Sequence, residues 1–265
     1  MAALDRHDLY ELCVQTPGER ADLLAAIHGA SPRVLGEDFA GTAATSRAWV
    51  RDASDRRAIA VDHDPVVTRR GETPPGVQIV EGDVCRTTDA ARHAADVIYA
   101  GNFSIGEWHT RSDLLAYLRH VRGRLRRGGV FVCDVYGGET AFLTGATDRD
   151  TPLPDGRIVR YTWEQRSADP ATGEVVNAMH FRILRDGTAE TQTELTLTDA
   201  FVYHWRLWGI AELRDAMAEA GFSQTAVHHA QPDAIDDAGG VYSRPLDGPD
   251  ELDDSFVVLV VGRTE

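Results

Sequence analysis

Acidic side chains and a glycine lie at the ends of three successive apolar segments, where they could hold a nucleotide. The first segment runs into residues 37–43 (EDFAGTA), the second ends at Asp62, and Asp83 follows the third. A glycine turn between a strand and a helix lets a nucleotide approach the backbone, and a carboxylate about 20 residues further on holds ribose hydroxyls. Asp62 stands at that spacing from Gly41, and Asp83 could accept a hydrogen bond from an adenine amino group. The pattern predicts a site for an adenosine-containing cofactor.

A second group of residues could carry the reaction. Glu107 and His109 follow the fourth predicted strand and Tyr136 follows the fifth, so all three should lie outside the carboxyl ends of the strands, where open α/β sheets bind ligands. Carboxylate, imidazole and phenol groups can each accept a proton, which makes these residues candidate general bases. Glu107 and His109 also suit the first turn of a surface helix, and that alternative stays open.

The elements that must position these residues alternate between strand and helix. Apolar runs predict strands at residues 33–37, 57–62, 77–81, 95–100, 130–135 and 256–261. The helical spacing of apolar residues predicts helices at residues 45–51, from Thr110 to Gly128-Gly129, and at residues 210–220 before Gly221. Such repeated units with apolar strands indicate an α/β fold, with a mostly parallel sheet that is covered by helices on both faces.

Residues 145–208 interrupt this alternation. Apolar and polar residues alternate from Val159 onwards, and turns at residues 169–173 and at Asp186-Gly187 separate two further strands. The pattern predicts a three-stranded antiparallel meander, inserted into an α/β domain of residues 31–265.

The meander and the N-terminus supply the remaining expectations. Trp163, Tyr203 and Arg206 lie in or beside the meander and are candidates for binding the substrate, because ligands of open α/β sheets sit outside the carboxyl ends of the strands and the insertion follows the fifth strand. The tryptophans near Arg206 suit packing between the insertion and its parent domain better than contact with the substrate, and both alternatives stay open. Residues 1–30 predict two short helices that form an N-terminal cap, and the acidic, turn-rich residues 233–254 predict a solvated loop.

The motifs resemble those of class I S-adenosylmethionine-dependent methyltransferases, over residues 34–135 and 210–261. In that family the first strand ends in an acidic residue followed by three glycines at alternate positions. Glu37 stands at the acidic position, and Phe39, Gly41 and Ala43 stand at the glycines. The resemblance implies that a set of residues from the first four strand ends binds the cofactor: Glu37, Phe39, Ala40, Gly41, Thr42, Asp62, His63, Asp83, Val84, Asn102 and Phe103.

The resemblance also implies a fold and an activity. The fold would be a Rossmann-like class I methyltransferase sandwich with a seven-stranded sheet, and the cofactor would be S-adenosylmethionine. The enzyme would transfer a methyl group to a nitrogen or oxygen of a small molecule. Three alternatives stay open: an NAD-dependent dehydrogenase, which would favour a fuller G-x-G-x-x-G turn; a cofactor-binding module without methyl transfer; and a nucleic-acid methyltransferase.

Composition limits the partners. The formal net charge of −15 disfavours binding to nucleic acid, which requires arginines and lysines on one face, and the chain has no lysine. We expect no membrane span and no signal peptide, and three dispersed cysteines indicate a reduced cytoplasmic protein without a metal site. An exposed edge of the meander favours a homodimer, although the oligomeric state stays open.

Overall fold

The computed structural model describes residues 4–51, 53–68, 70, 72–86, 94–185 and 192–265, and the chain divides into two units. Met1–Thr16 and Phe142–Leu207 form the smaller unit, whereas Pro17–Ala141 and Trp208–Glu265 form the larger one. The cap predicted for residues 1–30 is therefore divided between the units. The insertion predicted for residues 145–208 falls almost entirely in the smaller unit.

Helices and strands alternate through the first half of the chain, and long strands follow. The helices are α1 (Arg6–Val14), α2 (Pro17–His28), α3 (Ala44–Arg51), α4 (Pro65–Thr68), α5 (Arg111–Arg124) and α6 (Ile210–Ala220). The strands are β1 (Val34–Asp38), β2 (Arg57–Asp62), β3 (Val77–Glu81), β4 (Ala95–Ala100), β5 (Leu125–Gly138), β6 (Gly145–Pro152), β7 (Arg157–Ala168), β8 (Glu174–Arg185), β9 (Gln192–Arg206), β10 (Gln224–His229), β11 (Ala234–Ile235), β12 (Val241–Tyr242) and β13 (Ser255–Arg263).

A seven-stranded sheet forms the centre of the larger unit, in the order β10-β13-β5-β4-β1-β2-β3. The five strands from β5 to β3 run parallel, and β13 and β10 pair antiparallel at one edge. The chain changes direction across the sheet at β1, because β2 and β4 pair with its opposite sides. The predicted α/β fold with a mostly parallel sheet is confirmed, and the carboxyl ends of β1, β2 and β4 lie at one edge of it.

Two apolar layers enclose this sheet. Trp49 of α3 and Leu24 of α2 belong to a buried cluster on one side, whereas Leu118 of α5 and Met217 of α6 belong to a cluster on the other. Strands with helices on both faces are apolar throughout, which explains the continuous apolar runs in the sequence.

Helix α5 begins where its cap was predicted and ends earlier than predicted. The Thr110 side chain accepts a hydrogen bond from the Asp113 backbone N–H at 3.2 Å, which caps the first turn. The helix ends at Arg124 and strand β5 begins at Leu125, so the expectation that Gly128-Gly129 stops the helix is wrong. Leu125 pairs with Ala95 of the neighbouring strand, and this sheet pairing overrides the local helical pattern.

The smaller unit is a four-stranded antiparallel sheet in the order β6-β7-β8-β9, with α1 packed against it. The antiparallel insertion is confirmed, but the predicted number of strands, three, is wrong. Strand β6 was missed because its sequence, GATDRDTP, has no apolar residues at alternate positions, and it is exposed along most of its length. The predicted Asp186-Gly187 turn lies outside the described residues.

The acidic segment before β13 holds more structure than a solvated loop. Strands β11 and β12 form a small hairpin, and a 3₁₀ helix spans Pro249–Glu251. The Asp236 carboxylate stabilises the hairpin turn, because it accepts hydrogen bonds from the Gly240 N–H and the Tyr242 hydroxyl. Among the residues that the structure describes, no helix has the length and apolar character that a membrane crossing requires.

Candidate functional site

The turn after β1 has the backbone conformation of a glycine-rich turn, although only one of its three key positions is glycine. Phe39, Gly41 and Ala43 have φ angles of 55°, 52° and 57°. Positive φ is easy for glycine and costs other residues roughly 1–2 kcal/mol. The turn therefore holds three alternate positions in the left-handed region, and two of them carry side chains.

Asp62 at the end of β2 holds this turn. Its Oδ2 accepts a hydrogen bond from the Gly41 N–H at 2.7 Å, and its Oδ1 accepts one from the Asp64 N–H at 2.9 Å. Each carboxylate oxygen can accept a second hydrogen bond. The spacing of about 20 residues between Gly41 and Asp62 thus corresponds to direct contact, and it leaves acceptor capacity for a ligand.

A cavity of about 330 Å³ opens beside Asp62. Its lining comes from four segments, and the residues are Phe39, Asp62, His63, Gly82, Asp83, Val84, Glu107 and Trp108. Sequence reasoning named six of these eight and missed Gly82 and Trp108. Ligand sites commonly measure about 300–1,000 Å³ and combine apolar walls with a few polar groups, and this cavity has both properties.

The lining residues differ in how firmly they are held. The Asp83 side chain is half exposed, and its Oδ1 accepts a hydrogen bond from the Cys85 N–H at 2.8 Å, which fixes residues 83–85. Val84 is buried in the core of the larger unit, whereas the His63 side chain is 85% exposed. Asp83 and Val84 thus form a fixed wall, and His63 lies at the mouth of the cavity.

Four of the predicted cofactor residues do not line the cavity: Ala40, Gly41 and Thr42 form the turn, and Glu37 lies on β1 just before it. Ala40 and Thr42 are buried, and the Ala40 N–H donates to the Val61 carbonyl at 3.0 Å. Glu37 is buried on β1, and its Oε2 accepts a hydrogen bond from the Ser46 N–H of α3 at 2.8 Å. Burial raises the pKa of Glu37, and hydrogen bonds from Ser46 and Thr45 oppose the rise. Its position is that of a residue that joins β1 to the helix.

Directly beneath the turn lies a buried ion pair that sequence reasoning missed. The Asp38 carboxylate accepts hydrogen bonds from Arg124 at 2.8 and 2.9 Å and from the Tyr117 hydroxyl at 2.9 Å. Asp38 and Arg124 are 0% and 4% exposed. A signal was present in the sequence, because Tyr117, Val121 and Arg124 follow each other at helical spacing and place an arginine on the core face of α5.

Tyr117 connects this ion pair to the wall of the cavity. Its ring stacks on Trp108 at a centroid distance of 5.0 Å and lies edge-on to Phe39 at 6.0 Å. Phe39 and Trp108 also make an edge contact with each other at 6.0 Å. Because two of these three rings line the cavity, its aromatic wall is fixed from behind by α5.

The turn after β4 is ordered by a carboxylate from β5. Asn102 and Phe103 have φ angles of 57° and 63°, and their N–H groups donate to Asp134 at 2.9 and 2.7 Å. Asp134 is buried, and burial raises its pKa while Arg20 and these hydrogen bonds lower it. Gly101 is required here, because a Cβ atom on it would lie 2.2 Å from the Tyr99 ring. Asn102 and Phe103 do not line the cavity.

The structure separates the three candidate general bases. Glu107 is exposed and lines the cavity, whereas His109 is exposed but not part of its lining. The Tyr136 ring lies edge-on to Phe103 at 5.1 Å, next to the turn after β4. Of the three, Glu107 alone has a place in the cavity wall.

In the smaller unit, the candidate substrate residues divide between two faces of the sheet. Trp163 and Tyr203 both contact Trp205, at centroid distances of 6.1 and 4.3 Å, and form a half-buried aromatic face. Arg206 follows Trp205 in the same strand, so its side chain extends from the opposite face. The structure therefore groups Trp163 with Tyr203 and separates Arg206 from them.

Two other potential sites are less suitable. A larger cleft of about 970 Å³ lies beside β10 and α6 and includes Val261 and Arg263. Arg263 pairs in register with Val130, near the amino end of the parallel strands, whereas ligands of such sheets bind outside the carboxyl ends. Within the described ranges, no group of three metal-ligating side chains comes together.

The residues around the smaller cavity fit an adenosine cofactor. Asp62 retains acceptor capacity for hydroxyl groups, and a Cβ atom on Gly41 or Gly82 would meet no protein atom within 4 Å, so ligand atoms can approach the backbone at both positions. Asp83 adds an acceptor for an amino group at the same cavity. The donor and acceptor set therefore matches a ribose and an adenine.

Comparison with known proteins establishes the fold. No protein-family model matches the sequence, and no curated protein matches it in sequence. The structure of DesVI from Streptomyces venezuelae is similar with a TM-score of 0.68 at 16% identity, over 99% of this chain and 100% of that one. CalS10, an amino pentose methyltransferase from Micromonospora echinaspora with bound S-adenosylmethionine, gives a TM-score of 0.63 at 16% identity, over 99% and 98% of the two chains.

The sugar N-methyltransferase KedS8 from Streptoalloteichus is similar with a TM-score of 0.61 at 18% identity, over 100% of this chain and 95% of that one. At these identities the likeness concerns architecture, and it extends over both units of the chain. The protein therefore has the Rossmann-like fold of these methyltransferases, with an additional antiparallel sheet.

Proposed function

We propose that this protein is an S-adenosylmethionine-dependent methyltransferase that acts on a small molecule. The observation that carries the proposal is the hydrogen bond between Asp62 and Gly41, in a turn that keeps three left-handed positions and opens onto a cavity of about 330 Å³. Asp62 would hold the ribose hydroxyls, and Asp83 with Val84 would bind the adenine. The cofactor, when bound, supplies an activated methyl group on a sulfonium.

The chain's own residues would orient the acceptor and exclude water. Transfer to a nucleophile requires it to lie in line at about 3–3.5 Å from the reacting carbon, so positioning contributes most of the catalysis. Glu107 is the residue that we propose as the general base for an acceptor that loses a proton, because it lines the cavity. Tyr136 and His109 are weaker candidates for that role.

A nitrogen acceptor is the form of the reaction that we favour. Two of the similar structures are described as a sugar N-methyltransferase and an amino pentose methyltransferase. The net charge of −15 attracts cations, which favours an amine over a phosphate or a nucleic acid. Trp163 and Tyr203 are the residues that we propose for contact with the acceptor, and Arg206 is not grouped with them.

Domain organisation and setting belong to the same proposal. We propose that residues 145–208 are an insertion with its own sheet. We also propose that the protein is a homodimer, which size-exclusion chromatography with light scattering should detect. Three free cysteines suit a reducing compartment such as the cytoplasm.

Calorimetric titration with S-adenosylhomocysteine tests the proposed function. We expect micromolar affinity in the wild type and at least a tenfold loss in Asp62→Ala. Asp64→Ala is the matched control. It removes a carboxylate two residues away from Asp62 and keeps the backbone N–H of residue 64, which donates a hydrogen bond to Asp62. Binding of NADH in place of S-adenosylhomocysteine would refute the proposal and favour the dehydrogenase.

A second experiment separates cofactor binding from transfer. Glu107→Gln should lower the rate of methyl transfer to an amine acceptor while the affinity for S-adenosylhomocysteine stays within about twofold. Unchanged rates in Glu107→Gln, Tyr136→Phe and His109→Ala would remove a general base from the mechanism. Complete absence of transfer to amines and phenols, with cofactor affinity intact, would favour a binding module.

A further inference from the structure

A second cleft lies along the edge strand β10 of the larger unit, and the proposed function gives it no role. It has a volume of about 970 Å³ and shares no lining residue with the cavity at Asp62. Four strands of the sheet separate β10 from β2, which carries Asp62. Ligand sites commonly measure about 300–1,000 Å³ and combine an apolar floor with a few polar groups. The cleft is therefore large enough for a ligand of its own.

A nearly buried imidazole lies at one end of this cleft. His228 is 5% exposed, and its Nδ1 lies 2.8 Å from the hydroxyl of Ser243, which lines the cleft as well. Its Nε2 forms no hydrogen bond within the part of the chain that the structure describes, and protein atoms do not enclose it. Buried polar groups normally have a partner, so a ring nitrogen left open beside the cleft indicates a place for a ligand atom.

The protonation of His228 determines which group suits this nitrogen. Burial lowers the pKa of His228, the charge of Arg263 adds to the effect, and the Asp233 carboxylate opposes it. The ring is therefore neutral at pH 7, and its Nε2 donates or accepts according to the direction of the hydrogen bond with Ser243. A hydroxyl group on a ligand suits both cases, because it can accept and donate.

A cation without a counterion lies at the other end. The guanidinium of Arg263 is held by three carbonyl groups, those of Gly128, Ile27 and His28, at 3.0, 3.1 and 3.2 Å. Across the described ranges no carboxylate pairs with Arg263, and burial lowers its pKa without an opposing charge. Gln224, which pairs with Arg263 in register, adds an amide at this end. A carboxylate on a ligand would compensate the charge.

An apolar floor joins the two ends. Gln224, Ala226 and His228 alternate along β10 and therefore share one face of the sheet. Ala226 pairs with Val261, and both pack with Ile27 of α2 in one apolar cluster. Gln224 and His228 are four residues apart, which corresponds to roughly 14 Å along the strand, and their side chains shorten this span. A ligand that reaches both ends must therefore be elongated, with an apolar middle.

We propose that this cleft binds a hydroxylated aromatic acid. Its carboxylate would lie at Arg263, and its hydroxyl would lie at Nε2 of His228. Its ring would lie on the floor, where the small side chains of Ala26 and Ala226 leave room for a flat group. The site is separate from the cofactor cavity, so the inference does not depend on the proposed function.

Titration of the full chain with 3-(4-hydroxyphenyl)propionate, followed by ¹H–¹⁵N NMR spectra, tests this inference. We expect saturable shifts of the β10 amides, with a Kd below about 1 mM. Two altered ligands examine the two ends of the site. The amide of this acid has no charge, and 3-phenylpropionate has no hydroxyl. Each should bind the wild type about fivefold more weakly or worse, as the loss of one hydrogen bond or charge contact predicts.

A pair of variants assigns the hydroxyl contact. His228→Leu should remove the preference for the hydroxylated acid over 3-phenylpropionate and keep the preference for the acid over its amide. His229→Leu is the matched control, because His229 is the next residue of β10, lies on the opposite face and does not line the cleft. It should keep both preferences.

The ligand comparison on the wild type decides the matter even if His228→Leu does not fold. Equal affinities for the acid and its amide, or for the hydroxylated and plain acids, would overturn the inference. So would shifts confined to residues around Asp62, or the absence of saturable shifts. Failure to bind S-adenosylhomocysteine would refute the proposed function and leave this inference standing, because the two sites share no residue.

Discussion

Replacement of Arg124, which forms a buried ion pair with Asp38, should lower the free energy of unfolding of the larger unit more than any substitution on the surface. In Arg124→Met, Asp38 loses two hydrogen bonds, of 2.8 and 2.9 Å, and keeps only the one from the Tyr117 hydroxyl. Asp38 is 0% exposed, so water cannot replace the lost donors without opening the core. The variant therefore leaves a buried, mostly uncompensated charge.

The expected magnitude follows from this burial. Removing one partner of a buried ion pair typically costs about 3–5 kcal/mol, because the remaining charge stays in a low-dielectric environment. Burial lowers the pKa of Arg124, and the charge and hydrogen bonds of Asp38 raise it above its ordinary value. We expect a loss of about 3 kcal/mol or more in the free energy of unfolding, since the Tyr117 hydroxyl compensates only in part.

Urea denaturation followed by near-UV circular dichroism measures this loss. Arg126→Met is the matched control, because Arg126 lies two residues further along the chain and pairs with Asp96 at 3.1 Å while its side chain is 46% exposed. Its effect should stay within about 1 kcal/mol. The double variant Asp38→Leu with Arg124→Met should lose less than Arg124→Met alone, because it buries no charge. A loss in Arg124→Met no larger than in the control would refute this reasoning.

Three further predictions concern the residues around the turn and the strand ends. Because burial raises the pKa of Glu37, the folded protein holds its proton to higher pH than the unfolded chain does; stability from this group is present at low pH and is lost as pH rises. Urea titrations between pH 4 and 7 should therefore show Glu37→Gln gaining stability relative to the wild type as pH increases, and a constant difference would contradict the shift. Gly101→Ala should lower the free energy of unfolding by about 1–3 kcal/mol in thermal unfolding, because its Cβ would lie 2.2 Å from the Tyr99 ring, and adding Tyr99→Leu should restore part of the loss. Ala43→Gly should change stability by less than about 1 kcal/mol, since relief of positive φ offsets the lost methyl group, whereas Ala44→Gly in the neighbouring helix should cost more; equal losses would show that the turn stores no strain.

The sequence predicted the strands and helices correctly where burial gives the apolar residues a regular pattern. Strands of a sheet covered on both faces must be apolar along their length, and so the parallel strands and their order along the chain were predicted. Strand β6 was not predicted. It is an edge strand with charged residues that is held by backbone hydrogen bonds, and such bonds leave no regular spacing of apolar side chains in the sequence. The end of α5 was predicted at Gly128-Gly129 for a related reason. Glycines mark a break in local structure, but they do not show that the residues before them already belong to strand β5.

The candidate site was accessible in part. Asp62 was identified because its spacing from Gly41 reflects a direct contact, now seen as a hydrogen bond of 2.7 Å. Trp108 was missed because its role depends on a stack with Tyr117, a partner on another element that spacing alone does not indicate.

The turn after β1 has positive φ at three alternate positions, although only Gly41 among them is a glycine. Contacts with neighbouring groups can impose this conformation on other residues. Here the Asp62 carboxylate holds the N–H of Gly41, and the Ala43 N–H donates to the Ala40 carbonyl at 2.8 Å. The positive φ of Phe39 costs roughly 1–2 kcal/mol, and the packing of its ring against Trp108 and Tyr117 offsets part of this cost. The left-handed conformation at Phe39, Gly41 and Ala43 therefore depends on these contacts as well as on the one glycine.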